Sequence, residues 1–303
     1  MASNPHIALV GNPNSGKSSL FNALTGLNQK VGNFPGVTVD KKTGDLQIGG
    51  HPSTLIDLPG TYSFYPKRED EWVAYKVLMG VDLEMHTDVI LLVADASNLK
   101  RNLLFCSQII DLKKPVVLAL TMNDLAAKKG IKIDIAGLQE DLGIPVVAVD
   151  ARKNKGLNEL KNALLGIIET QRSRNQESFI DNKNLAPEAI DAFKELYPTH
   201  SDYAALHYLM HHEAFPLENE MQDKIEQIEI DNNFNHTKTQ AQEILQRYGH
   251  IQEIMKKRVT EPDPSAKKKR TDKLDNIFLH RIGGYAILLS VLFVLFQSVF
   301  WMA

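Results

Sequence analysis

The residues with the clearest chemical signal lie near the start of the chain, in the stretch from Gly11 to Ser18. This stretch follows a short apolar run and precedes residues with helical spacing, which predicts a strand, a loop and a helix. The spacing G-x-x-x-x-G-K-[ST] in that context is typical of a phosphate-binding loop, where backbone N–H groups and a helix N-terminus surround phosphate oxygens. We expect Lys17 to reach the outer phosphates of a nucleotide and the Ser18 hydroxyl to bind Mg²⁺.

This loop supplies most of the nucleotide-binding residues that we predict. The alternative, a chance glycine-rich turn, does not explain why a strand pattern and a helix pattern flank it. The predicted residues in this part of the chain are Asn12, Asn14, Ser15, Gly16, Lys17, Ser18 and Ser19.

A second candidate loop covers residues 32–40 and contains two glycines and a proline, so we expect it to be mobile without a ligand. Nucleotide switches place a threonine hydroxyl about 20 residues beyond the phosphate-loop serine, where it meets Mg²⁺ and the γ-phosphate. Thr38 is the candidate here, with Gly36 and Val37 beside it in the binding loop. The alternative is that Thr38 only begins a strand over residues 37–42.

A third loop follows a predicted hairpin of residues 45–48 and 53–56 and reads Asp57-Leu58-Pro59-Gly60. In this D-x-x-G pattern the Asp57 carboxylate can hold Mg²⁺ through water, and the Gly60 N–H can sense the γ-phosphate. Residues 61–68 are then the predicted second switch segment, before a helix over 69–79. The residues of these three loops that we predict to act in catalysis are Lys17, Thr38 and Gly60.

The elements that must position these loops alternate between strand and helix. Continuous apolar runs at 89–95, 115–120 and 145–149 are typical of strands buried on both faces of a parallel sheet. A helical pattern over 157–170 closes this part of the chain. The sequence therefore predicts an α/β P-loop domain with a doubly wound, mainly parallel sheet and a ligand at the carboxyl ends of its strands.

Beyond residue 172 the patterns are helical, at 187–197, 202–212, 217–230 and 239–259. Adjacent histidines on one helix point in different directions, so we predict that His211 and His212 lie at the surface rather than bind a metal. The predicted organisation is a nucleotide domain at 1–171, a small all-α helical domain at 172–260, a basic juxtamembrane linker at 261–281 and a first transmembrane helix at 282–303.

Charge and cysteine content exclude several classes of protein. The net charge is −3, yet the segment from Lys256 to Arg281 holds nine Lys/Arg and only four Asp/Glu, so the rest of the chain is acidic. An acidic body argues against a nucleic-acid partner. The single cysteine, Cys106, excludes an internal disulfide and fits a reducing compartment, with a small buried helix residue as its expected role.

The two ends of the chain differ in their relation to a membrane. The first residues lack the charged and apolar regions of a signal peptide, which places this part of the chain in the cytoplasm. Residues 282–303 are 22 residues without a charge, and about 20 suffice to cross a bilayer. The basic residues before them predict a cytoplasmic side. A buried soluble helix or a helix on the lipid surface is the alternative.

Taken together, the phosphate-binding loop and residues 31–39 and 57–62 resemble the FeoB family of bacterial ferrous iron transporters. The helical segment and the approach to the apolar tail, residues 272–281, are also similar, so the resemblance covers nearly the whole chain. It implies a cytoplasmic G domain that binds GTP and GDP with Mg²⁺, a helical GDP-stabilising domain, and a membrane pore that is mostly absent from this sequence.

The guanine-reading motif of such GTPases is N-[KM]-x-D, and this chain departs from it with Thr121-Met122-Asn123-Asp124. Asp124 keeps the two acceptors that suit guanine, and Met122 can cover the ring. Thr121 replaces the asparagine, so we expect its bridging contacts to be shorter or lost, with Asn123 facing elsewhere. GTP should remain preferred, with weaker discrimination against ATP. The last base-contacting loop matches Asp150, Ala151 and Arg152, where a backbone N–H of Ala151 would meet guanine O6.

Two positions bear on the rate of hydrolysis. Many GTPases carry a glutamine after the D-x-x-G glycine to orient the attacking water, and this chain carries Thr61 there. Catalysis must then depend on positioning and on charge from elsewhere, which predicts slow hydrolysis. In potassium-dependent relatives the asparagine that matches Asn14 ligates K⁺, and the resemblance implies the same here. The alternative is a turn residue that tolerates its backbone conformation.

The resemblance therefore implies a GTP-binding, slowly GTP-hydrolysing part of a bacterial inner-membrane protein, on the cytoplasmic side, that controls Fe(II) uptake through an attached pore. The partners that it brings into consideration are the protein's own pore domain, the membrane, small cytoplasmic Feo accessory proteins and further copies of the chain. Two alternatives remain open. One is a soluble ribosome- or tRNA-associated GTPase, and the other is a nucleotide switch with little turnover, which Thr61 allows.

Overall fold

Strands and helices alternate through the first half of the chain, as the sequence predicts. The structure is a computed structural model that describes residues 4–26, 29–34, 37–81, 85–170, 177–262, 278–280 and 283–302. The strands of this half are β1 (His6–Gly11), β2 (Gln29–Asn33), β3 (Asp40–Ile48), β4 (His51–Asp57), β5 (Val89–Asp95), β6 (Val116–Thr121), β7 (Lys132–Ile133) and β8 (Val146–Ala148). The helices are α1 (Lys17–Thr25), α2 (Glu69–Met79), α3 (Leu99–Asp111), α4 (Asn123–Lys128), α5 (Ile135–Leu142) and α6 (Leu157–Thr170).

The described strands form a seven-stranded mixed sheet in the order β2-β3-β4-β1-β5-β6-β8. The pairs β4-β1, β1-β5, β5-β6 and β6-β8 are parallel, and only β2-β3 and β3-β4 are antiparallel. Ile7 and Leu9 of β1 pack in one hydrophobic cluster with α1 and α6, whereas Ala8 and Val10 pack in another with α2 and α3. Helices therefore cover both faces, which confirms the predicted doubly wound α/β class.

The sheet also extends further than the sequence predicts. The hairpin of β3 and β4 is confirmed, with Gly49 and Gly50 in left-handed conformations at its turn. The strand expected to begin at Val37 begins instead at Asp40. The edge strand β2 was not predicted, because every one of its five residues is exposed and its sequence shows no alternation between apolar and polar residues.

The helices that follow in the chain pack on the α2 and α3 face of the sheet. Phe193, Tyr203 and Ile251 are buried in the same cluster as those two helices. A two-residue strand, β9 (Val259–Thr260), pairs with β7, where the sequence predicts only helix to 259. The boundary predicted at 171/172 stays a prediction, since Met1–Thr260 is one compact unit. The helices are α7 (Pro187–Leu196), α8 (Asp202–His211), α9 (Asn219–Asp231) and α10 (His236–Arg258).

The surface position predicted for the adjacent histidines is wrong. His212 is buried, with 3% of its surface exposed, and His211 is partly buried against the rings of Tyr65, Trp72 and Tyr75. The sequence could not show this burial, because α8 is enclosed by several other elements and keeps no polar face. Seven of its ten residues are buried.

Glu261–Ala303 forms a second unit that contains helix α11 (Gly283–Met302). Among the described residues, no helix combines the length and the apolar character that a membrane crossing requires. The transmembrane helix expected at 282–303 is therefore not confirmed. Residues 282 and 303, at its two ends, lie outside the described residues.

Candidate functional site

The phosphate-binding loop connects β1 to α1 and turns sharply at two positions. Asn14 and Gly16 have left-handed backbones, with φ of 63° and 88°, a conformation that glycine adopts freely and asparagine more readily than most residues. The Ser15 N–H donates to the Asn12 carbonyl at 3.2 Å. Within the part of the chain that the structure describes, no side chain caps the start of α1 at Gly16. The first N–H groups of this helix are thus available to an anionic acceptor.

Two buried side chains of this loop carry polar atoms without a partner. The Asn12 amide nitrogen and the Ser15 hydroxyl have no hydrogen-bond partner among the described residues, and both side chains are at least 97% buried. An orphaned buried donor is costly. Both groups therefore suit a site that is completed by a hydrogen-bonding ligand.

A pocket of about 590 Å³ opens beside this loop, at the carboxyl ends of the strands. It brings together eight predicted site residues, namely Asn12, Asn14, Gly16, Lys17, Ser18, Ser19, Gly60 and Met122. Three further lining residues were missed by the sequence analysis, namely Pro13, Arg68 and Asp70.

Lys17 and Asp57 contact each other at the inner side of the phosphate-binding loop. The Lys17 ammonium donates to the Asp57 carboxylate and, at 2.6 Å, to the Leu58 carbonyl. Both side chains are mostly buried, at 13% and 11% exposed. The residue expected at the phosphates and the residue expected at Mg²⁺ therefore lie together, one from each loop.

The D-x-x-G loop lies directly against the phosphate-binding loop. A Cβ added at Gly60 would stand 3.2 Å from the Pro13 nitrogen, which is closer than most side chains allow. The Thr61 N–H donates to the Gly11 carbonyl at 3.2 Å. The Thr61 hydroxyl donates to the Ser63 carbonyl at 2.8 Å. Gly60 is thus held in contact with the pocket, and Thr61 is tied into its own segment.

The two loops expected to read the base follow the neighbouring strands β6 and β8. Met122 has a left-handed backbone, with φ of 54°, and lines the pocket. Asp124 lies exposed in the first turn of α4. Asp150 accepts from the Lys153 N–H at 3.2 Å and begins a short 3-10 helix, Ala151–Lys153, that contains the other two predicted residues, Ala151 and Arg152.

Of the two outcomes expected at position 121, shorter or lost contacts, the structure shows contacts that are kept through a shorter side chain. The Thr121 hydroxyl lies within hydrogen-bond distance of the Ser15 carbonyl and, at 3.1 Å, of the Ala94 carbonyl. The side chain is buried, and its short reach suffices because Ser15 lies directly beside it. Asn123 does face elsewhere, as predicted, since its amide donates to Leu120 and Val149 carbonyls at 2.7 and 3.3 Å.

The described residues of the first switch loop are not brought to the pocket. Val37 and Thr38 are exposed and are not among the residues that line it. The Phe34 N–H donates to the Val39 carbonyl at 2.9 Å, and the Val37 N–H donates to the Phe34 carbonyl at 3.3 Å. These bonds close the loop on itself at the end of the β2-β3 hairpin. Gly36 lies outside the described residues.

The missed residues Arg68 and Asp70 stand where the second switch segment meets α2. The Arg68 guanidinium pairs with Asp70 at 3.2 Å and with Glu71 at 3.4 Å, and 59% of the Arg68 side chain is exposed. Arg68 ends the predicted second switch segment, 61–68, but no spacing pattern in the sequence marks Arg68 or Asp70 as a site residue. A further signal was the position of three acidic residues in the first turn of a helix.

Known proteins resemble both the sequence and this geometry. A family model described as "Ferrous iron transport protein B" matches residues 5–164. The Fe(2+) transporter FeoB of Leptospira biflexa is 34% identical over 314 residues, which cover 97% of this chain and 43% of that protein. The Fe(2+) transporter FeoB of Legionella pneumophila is 48% identical over 164 residues, or 53% of this chain and 21% of that protein. The chain thus spans less than half the length of these curated relatives.

Solved structures match at similar identity. The cytosolic domain of L. pneumophila FeoB has a TM-score of 0.69 at 32% identity and covers 84% of this chain and 100% of its own. The cytosolic domain of T. maritima FeoB in its GMPPNP form has a TM-score of 0.68 at 32% identity, and the match covers 85% of this chain and 100% of that structure. A GDP-bound mutant of S. thermophilus NFeoB has a TM-score of 0.69 at 32% identity, and the match covers 84% of this chain and 100% of that structure. With a family model matching more than half of its residues, this chain belongs to the ferrous iron transport protein B (FeoB) family.

Proposed function

We propose that this chain binds GTP and GDP with Mg²⁺ in the pocket beside the phosphate-binding loop and hydrolyses GTP slowly. The observation that carries the proposal is the contact of Lys17, at the uncapped start of α1, with Asp57 from the D-x-x-G loop. Solved relatives support it, since the T. maritima FeoB cytosolic domain is known in a GMPPNP form and an S. thermophilus NFeoB mutant is known bound to GDP. The soluble ribosome- or tRNA-associated alternative does not fit the family.

The residues around the pocket fit a phosphate chain and its metal ion. The helix N-terminus and the unpartnered Asn12 amide are donors suited to phosphate oxygens. Ser18 and Asp57 supply oxygen ligands of the kind that Mg²⁺ prefers, and Thr38 is the third candidate. Mg²⁺ would neutralise charge on the phosphates. Binding would exchange the Lys17 contact with Asp57 for contacts of both residues with the charged ligand.

Hydrolysis would depend on positioned charge. Lys17 would hold the outer phosphates, the Gly60 N–H would sense the γ-phosphate, and Asn14 would ligate K⁺. The Thr61 hydroxyl donates to the Ser63 carbonyl, and the Thr61 side chain has no amide group that could orient water. Both features support slow turnover. The bond that breaks joins the β- and γ-phosphates, and water supplies the new oxygen of inorganic phosphate.

Base recognition would come from the two loops after β6 and β8. Asp124 would accept from guanine N1–H and N2–H₂, Met122 would cover the ring, and the Ala151 N–H would donate to guanine O6. We propose that GTP is preferred over ATP on this basis. Competition of GDP, ADP and ATP for labelled nucleotide tests the preference, and equal affinities for all three would reject it.

A binding titration with fluorescent GDP tests the site itself. Lys17→Ala should weaken GDP binding by about 10- to 100-fold, because it removes a charge-assisted contact to phosphate. Lys238→Ala, on the exposed face of α10, is the matched control and should leave binding unchanged. Equal affinities of the wild type and of Lys17→Ala would reject the assigned pocket.

Phosphate release from GTP, in KCl and in NaCl, tests the catalytic part. We expect slow release that K⁺ accelerates, and Asn14→Ala should remove the acceleration while release in NaCl stays similar. No release above background in either salt would favour a nucleotide switch without turnover. Stimulation by K⁺ that persists in Asn14→Ala would assign the cation to other residues.

In the whole protein we propose that this part controls Fe(II) uptake through an attached membrane pore, on the cytoplasmic side of a bacterial inner membrane. Two observations support this proposal: the relatives are Fe(2+) transporters, and this chain leaves a large share of their length uncovered. A relative described as a fusion with Fe(2+) transport protein A supports an accessory protein of that kind as a partner. Uptake of Fe²⁺ against Mn²⁺ by the complete protein in vesicles is the test.

A further inference from the structure

The departure from the guanine-reading motif divides one task between two side chains. An asparagine at the first motif position would offer one amide near both the phosphate loop and the base loops. This chain instead has a hydroxyl at Thr121 and an amide at Asn123, two residues apart. Each of them contacts a different neighbour. We propose that Thr121 positions the phosphate-binding loop, whereas Asn123 positions the base-reading loops and thereby sets base selectivity. This inference rests on the proposed nucleotide site.

Thr121 is attached to the phosphate side of the pocket. Its hydroxyl reaches the carbonyl oxygen of Ser15, and its buried side chain lies beside Gly16, where an added Cβ would stand 3.5 Å from the Thr121 Cβ. The residue itself is 5% exposed. Loss of the hydroxyl would release the middle of the phosphate-binding loop, on which all nucleotides depend equally, whatever their base.

Asn123 is attached to the base side. Its amide nitrogen donates both hydrogens, to the Leu120 carbonyl at 2.7 Å and the Val149 carbonyl at 3.3 Å. The Val149 N–H also donates to the Leu120 carbonyl, at 2.7 Å. The side chain therefore joins the ends of β6 and β8 at the points where the two base-reading loops begin.

This clamp fixes the separation of two groups that must meet the same base. Asp124 follows Asn123 directly, and Ala151 lies two residues beyond Val149. The guanine atoms that would contact Asp124 and Ala151 lie on one edge of the base, so both contacts form only if the two loops are correctly spaced. Adenine lacks the groups for these two contacts. A loosened clamp should therefore reduce guanine affinity and leave adenine affinity unchanged.

The test compares affinities for GDP and ADP, with pyrophosphate as a competitor that has no base. Asn123→Ala should lower the ratio of GDP to ADP affinity by about tenfold, through GDP alone. Asn123→Asp keeps the shape of the side chain but has no N–H to donate, so it should also lower the ratio of GDP to ADP affinity. Asn162→Ala, an exposed asparagine on α6, is the matched control and should leave the ratio unchanged.

Thr121 should give the complementary result. Thr121→Ala should weaken GDP, ADP and pyrophosphate binding by the same factor, about tenfold, with the ratio of GDP to ADP unchanged. Thr121→Ser keeps the hydroxyl and should restore wild-type affinities. Melting curves identify any variant that does not fold, and the Asp and Ser variants then decide the outcome.

Failure of this inference is distinct from failure of the proposed function. If the wild type binds no nucleotide, the proposed function fails. If the wild type binds GDP, but Asn123→Ala and Asn123→Asp weaken GDP and ADP equally, the assignment of base selectivity to Asn123 is overturned. A change in the ratio of GDP to ADP caused by Thr121→Ala would overturn the division between the two residues.

Discussion

Replacing Arg247 with methionine should destabilise the chain strongly, because Arg247 is a buried cation between two buried carboxylates. Its guanidinium contacts Glu243 and lies 2.8 Å from the Asp111 carboxylate, and all three side chains are 0% exposed. It also donates to the Ser107 carbonyl at 2.8 Å and to the Asn182 side chain at 3.1 Å. Methionine has a similar length but can satisfy none of these groups.

The magnitude follows from what the substitution leaves behind. Removing one partner of a buried ion pair costs about 3–5 kcal/mol, since the remaining charge is buried without compensation. The substitution affects the two carboxylates unequally. Asp111 keeps donors from the Phe179 N–H at 2.6 Å and the Asn182 amide at 2.8 Å, whereas Glu243 keeps the Gln108 amide at the longer distance of 3.2 Å and the neighbouring Tyr65 hydroxyl. Most of the loss should therefore come from Glu243.

Urea unfolding followed by far-UV circular dichroism measures the effect on the wild type and on Arg247→Met at equal protein concentration. A loss of this size corresponds to a fall in melting temperature on the order of 10 °C for a unit of this length. The matched variant is Glu243→Gln/Arg247→Met, which removes the uncompensated carboxylate. It should recover at least about 2 kcal/mol of the loss.

Two results would contradict this reasoning. A loss below about 1 kcal/mol in Arg247→Met would mean that the buried cation does not hold the helices of residues 187–258 to α3. An equal or larger loss in the double variant would mean that the cost is lost packing around the arginine stem rather than an unpaired charge. Since both outcomes come from the same unfolding curves, no separate folding control is needed.

Two further effects follow from the structure. Gly11→Ala should cost about 1–3 kcal/mol, because the new Cβ would stand 2.4 Å from the Val93 carbonyl oxygen. Gly166→Ala should instead stabilise α6 slightly, because the new Cβ would have no described atom within 4 Å, and melting temperatures compare the two variants. Burial and two neighbouring histidines lower the pKa of His211 to about 4. Above pH 6.5 this residue is neutral in the folded and in the unfolded state. Between pH 6.5 and 4 it is protonated in the unfolded chain but stays neutral in the folded chain. His211 should therefore account for a fall in stability of up to about 3 kcal/mol over that interval. His211→Phe should reduce the pH dependence in melting curves between pH 7.5 and 5, and the part due to buried His207, whose pKa is also lowered, should remain.

The sequence predicts the parts of the fold and site that depend on local patterns. The phosphate-binding loop, the β3-β4 hairpin and the helices α2 and α6 lie where predicted, because glycine spacing, a Gly-Gly turn and apolar periodicity are properties of neighbouring residues. Lys17 and Asp57 meet because each motif follows the carboxyl end of a strand, and those two strands, β1 and β4, are parallel neighbours in the mixed sheet.

What the sequence does not predict depends on long-range packing. The edge strand β2 forms only because β3 offers it a partner, and its own residues carry no strand pattern. Thr38 stays exposed because the bond between the Phe34 N–H and the Val39 carbonyl closes its loop. The burial of His212 arises from surrounding elements rather than from α8 itself. None of these results has a signal at short sequence separation.

The outcome at the base-reading motif shows why a motif must be judged by its backbone as well as its letters. A threonine in place of asparagine predicts lost contacts only if the loop keeps the distance that an asparagine would span. Met122 has a left-handed backbone that reverses the chain between Thr121 and Asn123. That reversal lets the hydroxyl and the amide act on opposite sides, one on Ser15 and the other on Val149. A β-branched residue at position 122 would disfavour this conformation and should weaken both contacts together.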